Sequence, residues 1–222
     1  GSKQPLATLA LRRLAQALGE QSGRTIYPVS LQHAGSIPAD QLGGTPAHTF
    51  SAFLQQQLQQ GESDFIVLPL FFGDSKALTS FVPDEVAKLR NDYPDLHLQV
   101  AGTIGSDALL VRMVSEHIEA ARSQAGESAR VVLVDHGSPS PKITEVRKTI
   151  VQKLHQHHDL SIDQACMERR EGEQYDFNGQ LLEQWLREQA GQGVDSVIIA
   201  MLFFLPGRHA GPCGDVEEIC ES

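Results

Sequence analysis

The chain contains the stretch Val131-Val132-Leu133-Val134-Asp135-His136-Gly137-Ser138, in which a run of aliphatic residues ends just before a histidine. A second apolar run, Val197 to Leu205, is followed a few residues later by His209. Continuous Val, Ile and Leu runs are typical of parallel strands that are covered on both faces. In an open α/β sheet, the residues just past the carboxyl ends of such strands line the ligand crevice. We therefore expect His136 and His209 to meet there, as a metal site or as an acid–base pair.

Strand-like and helix-like patterns alternate along the chain, which predicts βα units and a Rossmann-like α/β fold with a parallel sheet. The predicted strands are Arg24–Val29, Phe65–Leu70, His97–Ala101, Arg130–Val134, Ser161–Met167 and Ser196–Phe203. The predicted helices are Pro5–Leu18, Thr45–Gln60, Val82–Asn91, Asp107–Gln124, Ile143–His155 and Asn178–Gln189. The first of these helices has apolar residues at helical spacing, at Leu6, Leu9, Ala10, Leu14 and Leu18.

The two halves of the chain resemble each other. Three landmarks recur, the first two 136 residues apart and the third 132 apart: Gly1–Pro5 with Gly137–Pro141, Ser30–Gln32 with Cys166–Glu168, and Leu70–Phe72 with Leu202–Phe204. The difference of four residues predicts a longer loop in the first copy, within Ala34–Gly44. We therefore predict two duplicated βα halves, residues 1–126 and 127–222, with a cleft between them.

The same repeat leads to an expectation about both ends of the chain. A strand ending in the counterpart of His136 is expected before Gly1, and a counterpart of Leu96–Gln124 is expected after Ser222. An alternative is that Gly1-Ser2 is a cloning remnant that fits the pattern by coincidence. Because Pro5 also fits the pattern, we favour the interpretation that the chain is a fragment of a longer protein.

Composition and charge exclude several classes of function. The chain has 222 residues and a formal net charge of −10, which argues against nucleic acid and anionic membranes as partners. No apolar run approaches the roughly 18 residues of a membrane span. Three cysteines without CxxC spacing do not indicate a disulfide framework, so the cytoplasm is the expected location. The oligomeric state is left open, with a dimer as one option.

The chain resembles the sirohydrochlorin chelatase family of cobalamin and siroheme biosynthesis, within the class II chelatases. The matching stretches are Asp135–Ser138, the strand end at Met167-Glu168, and Phe203–His209 leading into Gly214–Val216. The resemblance implies a lyase-type chelatase that inserts a divalent metal into a sirohydrochlorin-type tetrapyrrole, held in the cleft between the halves. The metal, cobalt or iron with nickel and zinc as further options, is then a substrate, and no organic cofactor is implied.

The resemblance also implies which residues carry the chemistry. His136 and His209 match the family's two histidines, and Glu168 stands where its acidic residue is expected, so these three would bind the metal and act in catalysis. At the positions equivalent to Glu168 and His209, the first half has Gln32 and Ala77. The first half is therefore expected to be a degenerate copy that has kept the fold and lost the chemistry.

The chemistry of metal insertion suits these residue types. Pyrrole protons must leave while the ion loses its water, and a neutral imidazole with an ordinary pKa of about 6.5 can both bind such an ion and accept a proton. A carboxylate such as Glu168 can balance charge or relay protons. The alternatives are that His136 is a turn residue bonded to backbone, that His209 is a plain loop histidine, and that Glu168 is a surface carboxylate paired with Arg169 or Arg170.

Four more residues are predicted to bind the substrate: Ser138, Arg169, Arg170 and Arg208. Guanidinium groups suit the carboxylates that such a tetrapyrrole carries, although surface salt bridges are the alternative. For Ser138, capping of the following helix is an alternative, and a catalytic serine is not supported because GxSxG is absent. The tract His155-Gln156-His157-His158 is interpreted as a solvated helix end rather than a second metal site.

Two other functions remain open at this stage. The first is a non-catalytic metal or tetrapyrrole carrier of the same fold, which the degenerate first half would suit. The second is an unrelated α/β enzyme that acts on a phosphorylated substrate at a helix N-terminus, although neither GxGxxG nor a P-loop is present.

Overall fold

The computed structural model describes residues 2–105, 107–126, 128–157, 161–211 and 213–221. Its helices are α1 (Pro5–Ser22), α2 (Phe50–Gln59), α3 (Val82–Arg90), α4 (Ala108–Ala125), α5 (Pro141–His157), α6 (Leu182–Gly191) and α7 (Asp215–Glu221). Its strands are β1 (Val29–Ser30), β2 (His48–Thr49), β3 (Asp64–Val67), β4 (His97–Val100), β5 (Arg130–Asp135), β6 (Ile162–Cys166), β7 (Gln180–Leu181) and β8 (Val197–Met201). All strand pairs among these residues are parallel, which confirms the predicted α/β class. Of the described helices, none combines the length and the apolar content needed to cross a bilayer.

The chain divides by its contacts into two compact units. The first comprises Gly1–Leu68, Lys76–Ala101 and Leu205–Asp215, and the second comprises Pro69–Ser75, Gly102–Phe204 and Val216–Ser222. Each unit is described by itself below. The division into halves at residue 126 stays a prediction.

The second unit is built on a four-stranded sheet with the order β7-β6-β5-β8. The strand β5 lies inside this sheet, since Val131 is opposite Ile162 of β6 on one side and Ile198 of β8 on the other. The four residues Val131–Val134 are at most 1% exposed. This burial explains why the stretch that opened the sequence analysis is a continuous aliphatic run rather than an alternating one.

Helices cover both faces of this sheet. On one face, α4 and α5 pack against Val131 and Leu133 of β5. On the other face, α6 packs through Trp185 against Val132 and Val134. Successive side chains of a strand point to opposite faces, so one aliphatic run serves both layers. This arrangement fixes the carboxyl end of β5, from which the residues of the candidate site continue.

The first unit contains two separate two-stranded sheets, β1-β2 and β3-β4. In the first of them Val29 is opposite His48, and in the second unit Ala165 of β6 is opposite Gln180 of β7. The first members of these pairs are 136 residues apart and the second members 132 apart, the same two spacings that the sequence repeat uses. The helices α2 and α6, each of 10 residues, follow directly and are also 132 residues apart.

The predicted apolar face of α1 is partly exposed. Leu14 and Leu18 are 45% and 37% exposed, whereas the equivalent positions of α5 are completely buried. On β3, Ile66 and Leu68 are 66% and 54% exposed. In the second unit β5 covers the equivalent side chains, but among the described residues of the first unit no strand pairs between β1 and β3. The helix was therefore predicted correctly, while the complete burial of its apolar face was not.

Two predicted helices begin later than expected. The helix predicted from Thr45 begins at Phe50, and the one predicted from Asn178 begins at Leu182. In both places two residues first join a sheet edge, as β2 and as β7, before the helix starts. The predicted strand Arg24–Val29 is likewise reduced to β1. Helix α7 was not predicted.

Candidate functional site

The pairing between β5 and β6 continues past the ends of both strands. The backbone N–H of Met167 donates to the carbonyl of Asp135 at 2.9 Å, and that of Glu168 donates to the carbonyl of His136 at 3.0 Å. The backbone segments that carry His136 and Glu168 are therefore bonded directly to each other. The position of one residue constrains the position of the other.

Three of the residues selected from the sequence are brought together. The metal-binding atoms of His136, Glu168 and His209 all lie within 4.8 Å of one another. His136 and Glu168 are exposed, whereas His209 is only 6% exposed. Within the described part of the chain, no other group of three or more His, Cys, Asp or Glu residues has this spacing. A metal bonded at about 2.0–2.2 Å holds its ligands roughly 3–4 Å apart, so small side-chain rotations would close this set around an ion.

Asp215 holds His209 in place. Its Oδ2 atom lies 2.7 Å from Nδ1 of His209 and 3.1 Å from Nε of Arg208, and its backbone N–H donates to the carbonyl of Arg208 at 3.0 Å. A carboxylate bonded to one ring nitrogen fixes the tautomer and the orientation of an imidazole, and the other nitrogen is then the one that binds metal. Here that nitrogen is Nε2. The sequence analysis missed this role of Asp215, although an acidic residue six positions after the histidine was an available signal.

A buried arginine ties the ends of the strands together. Arg147 is 2% exposed, and its Nη1 atom donates to Oδ1 of Asp135 at 2.5 Å and to the carbonyl of Ala165 at 2.7 Å. Its Nη2 atom donates to the carbonyl of Asn178 at 2.5 Å. Burial raises the pKa of the Asp135 carboxyl, and the charge of Arg147 acts in the opposite direction. The cation is therefore paired and hydrogen-bonded, as a buried charge must be.

The backbone of Ser138 is held by Asn178. The Oδ1 atom of Asn178 accepts from the N–H of Ser138 at 2.9 Å, and its Nδ2 atom donates to the carbonyl of Ser138, also at 2.9 Å. The hydroxyl of Ser138 accepts from the N–H of Ser140 at 3.0 Å, in the turn that leads into α5. A role of Ser138 in substrate binding stays a prediction.

Arg169 and Arg170 lie on the surface with local partners. Arg169 donates through Nη1 to Asp176 at 3.2 Å and to the carbonyl of Gly179 at 3.1 Å. The guanidinium of Arg170 stands 5.8 Å from the centre of the Tyr175 ring. These contacts orient both side chains on their own segment. Binding of substrate by them stays a prediction.

The remaining candidates lie apart from this group. The Nε2 atom of His155, near the end of α5, accepts from the N–H of Ile162 at 3.0 Å, whereas His158 lies outside the described residues. Cys166 is buried, and burial raises the pKa of its thiol. Cys213 and Cys220 are exposed. The position equivalent to Glu168 in the first half, Gln32, is exposed, and Ala77 begins a π-helical segment, Ala77–Phe81.

Comparison with known proteins gives one family and two solved structures of the same fold. The CbiX family model matches residues 1–121 and 130–219. A structure of SirB from Bacillus subtilis with Fe3+ is 17% identical, with a TM-score of 0.70 over 100% of this chain and 79% of that chain. The sirohydrochlorin chelatase SirB from Bacillus subtilis subspecies spizizenii, in complex with cobalt, is 15% identical, with a TM-score of 0.62 over 90% of this chain and 83% of that chain. No curated protein sequence matches the chain significantly.

Proposed function

The chain belongs to the CbiX family, and from this premise we propose that it is a chelatase that inserts cobalt or iron into a sirohydrochlorin-type tetrapyrrole. The observation that carries the proposal is the convergence of His136, Glu168 and His209 within 4.8 Å. Two imidazoles and one carboxylate suit several first-row divalent ions. The two structural neighbours contain Fe3+ and cobalt, which is consistent with this choice of metal.

In the proposed reaction the metal ion is a substrate that is held and then released. His136 and His209 bind the incoming ion through neutral nitrogens, so the ion keeps its positive charge and remains attractive to the macrocycle. As the ion binds the pyrrole nitrogens, two protons leave them, and the product carries the metal in their place. The histidines that give up the ion are then able to accept these protons.

Glu168 supports both stages of this reaction. Its carboxylate can bind the ion transiently, which lowers the cost of removing water from it. Because Glu168 is exposed, it can also pass protons from the histidines to solvent. A closed structural zinc site would instead need about four nitrogen or sulfur ligands and would not release its metal.

The arginines are proposed to hold the carboxylates of the tetrapyrrole. Arg208 has a side chain that is 72% exposed, and that of Arg169 is 34% exposed, so both guanidinium groups are accessible to a ligand. Arg170 and the hydroxyl of Ser138 are assigned the same role. Charge-assisted hydrogen bonds to carboxylates are stronger than neutral ones, and they would offset the net charge of −10 locally.

The proposal includes the setting in which the reaction takes place. We assign the protein to the cytoplasm and to the synthesis of siroheme or cobalamin. The chemistry is assigned to the second of two duplicated halves, residues 127–222, with residues 1–126 as the degenerate copy.

The proposal is tested by replacing the two histidines one at a time. His136→Ala and His209→Ala are each expected to slow metal insertion by about 100-fold or more, because each removes a ligand and a proton acceptor. Insertion is followed by the absorbance change of the tetrapyrrole with Co2+ or Fe2+. His97→Ala removes an exposed histidine from β4, outside the group, and serves as the matched control. Full insertion rates in both site variants would refute the proposal.

The same assay separates an enzyme from a carrier. A carrier of the same fold would bind metal and tetrapyrrole stoichiometrically and would show no turnover with both in excess. The replacement of two site positions in the first half by Gln32 and Ala77 keeps this alternative in view. Multiple turnovers that depend on His136 would exclude it.

A further inference from the structure

A buried hydrogen-bond network lies beside the candidate metal site without belonging to its ligands. We call it the Arg147–Asn178 network, and it consists of Arg147, Asn178, Asp135 and Thr144 with the backbone groups they bind. Arg147 is 2% exposed, and Asn178 and Thr144 are completely buried. Ordering and burying this many polar groups is costly unless every one is satisfied. The network is therefore worth examining for what it holds in place.

Asn178 uses its whole side chain in this network. Its Oδ1 atom accepts from the N–H of Ser138 and from the hydroxyl of Thr144, at 2.9 and 3.0 Å. Its Nδ2 atom donates to the carbonyls of Ser138 and Tyr175, at 2.9 and 3.1 Å. An amide side chain offers two donors and one oxygen with two lone pairs, so its bonding capacity is used completely. Ser138 is held on both its N–H and its carbonyl, as a neighbouring strand would hold it.

The turn that carries His136 is held from both sides. Oδ1 of Asp135 accepts from the N–H of Gly137 at 3.0 Å, immediately after His136. Asn178 holds the next residue, Ser138, as described above. Arg147 joins the two holding residues, because it donates both to Oδ1 of Asp135 and to the carbonyl of Asn178. The backbone on both sides of the His136 side chain is thereby fixed relative to the sheet.

The first half of the predicted repeat offers an internal comparison. The position equivalent to Asn178 is Pro46, and Arg12 donates to its carbonyl at 3.1 Å, as Arg147 does to the carbonyl of Asn178. A proline keeps the carbonyl that an arginine can bind but has no amide to hold a turn. The half that has Gln32 and Ala77 at the metal positions therefore keeps the arginine–carbonyl contact and lacks the amide. The amide occurs in the half that carries the metal-binding side chains.

We propose that Asn178, anchored by Arg147, is a positioning residue that sets His136 at the distance from Glu168 that metal binding requires. Asn178 touches neither metal nor substrate in this role and acts through the backbone of Ser138. The inference rests on the proposed metal-binding function of His136. It adds to that function a residue that lies about forty positions away along the chain and is completely buried.

The test compares Asn178→Ala, Asn178→Asp and Thr144→Val. Asn178→Ala removes both bonds to Ser138, and Asn178→Asp keeps the accepting oxygen but loses the donor to the Ser138 carbonyl. Thr144→Val is the matched control, because it removes a buried bond of the same network and leaves both bonds to Ser138 in place. The affinity for Co2+ and its visible absorption band are measured on samples whose folding is checked by circular dichroism.

Asn178→Ala is expected to weaken Co2+ binding by about 10- to 100-fold and to alter the absorption band, as the loss of a supporting residue around a metal ligand does. Asn178→Asp is expected to show a smaller loss in the same direction, and it provides the test if Asn178→Ala does not fold. Thr144→Val is expected to lower thermal stability while its Co2+ affinity and band stay like those of the wild type. Folded Asn178 variants that bind Co2+ like the wild type would overturn the inference.

His136→Ala is included so that the two proposals fail in different ways. If His136→Ala leaves Co2+ binding unchanged, the metal-binding role of His136 is wrong, and the positioning role falls with it. If His136→Ala abolishes the band but Asn178→Ala and Asn178→Asp leave it intact, only the positioning role is wrong. Equal losses in Thr144→Val and Asn178→Ala would also overturn it, since they would indicate a general effect on stability.

Discussion

A Cβ atom on Gly137 would lie 1.8 Å from the carbonyl oxygen of Glu168. Side chains essentially never approach a neighbouring atom to less than 3.0 Å, so position 137 has no room for one. Its φ of +87° also lies in the region that favours glycine. The segments that carry His136 and Glu168 are thus packed backbone against backbone, which places two of the proposed metal ligands next to each other.

Gly137→Ala is expected to weaken both the fold and the site. Left-handed backbone strain costs an alanine about 1–2 kcal/mol, and displacement of the Glu168 carbonyl adds to this. We therefore expect a loss of more than about 2 kcal/mol in urea unfolding, together with weaker Co2+ binding. Gly193→Ala is the control, because Gly193 has a φ of +76° with no heavy atom within 4 Å of its Cβ position. Equal stability losses and unchanged Co2+ binding in both variants would contradict the prediction.

Asp215→Ala is expected to reduce metal affinity through His209. Without the contact at 2.7 Å between Oδ2 and Nδ1, the imidazole loses its fixed tautomer and orientation, and a loss of about 10- to 100-fold in Co2+ affinity follows. Isothermal titration with Co2+ measures this loss. Glu218→Ala removes the same charge from the same helix, α7, and is expected to leave the affinity near that of the wild type. A similar loss in both variants would mean that only the net charge matters.

Arg208→Gln is expected to act on the tetrapyrrole rather than on the metal. A charge-assisted bond to a substrate carboxylate contributes about 1.5–3 kcal/mol, so we expect the KM for the tetrapyrrole to rise by about 10-fold or more with little change in kcat. Arg187→Gln is the control, since the side chain of Arg187 is equally accessible, 71% exposed, and lies on α6. An unchanged KM in Arg208→Gln would remove Arg208 from the substrate site.

The ligand group could be predicted from the sequence because its members follow strands. His136 follows β5, Glu168 follows β6, and His209 follows the segment after β8, and carboxyl ends of parallel strands lie at one edge of a sheet. The side chains that support these ligands follow no such rule. Asn178 lies in a 3-10 segment, and its bonds to Ser138 depend on how a loop folds back, which periodicity does not report.

The limits of the fold prediction have a related cause. The patterns located the helices because each has an apolar face at helical spacing, but they did not locate β2 and β7, since two residues are too few to show a period. The apolar pattern of α1 likewise predicted burial, while the exposure of Leu14 depends on which strands pair nearby. A sequence pattern specifies a surface that is suited to burial, and only tertiary pairing decides whether it is covered.

The acid stability of the first unit provides a last prediction, which is independent of the site. Hydrogen bonds from Lys88 and Ser51, each at 2.5 Å, lower the pKa of Glu85 below its ordinary value of 4.5, with the Lys88 bond as the larger cause. A carboxylate with a lowered pKa in the folded state adds stability above the pKa of the unfolded state, and this stability is lost as the pH falls through the folded pKa. Glu85→Gln should therefore lower the thermal midpoint at about pH 7 by roughly 1–3 °C and leave it nearly unchanged at about pH 3. Glu62→Gln, at an exposed glutamate of the same unit, is the control, and a midpoint shift in Glu85→Gln that is equal at both pH values would show that the charge of Glu85 is not the cause.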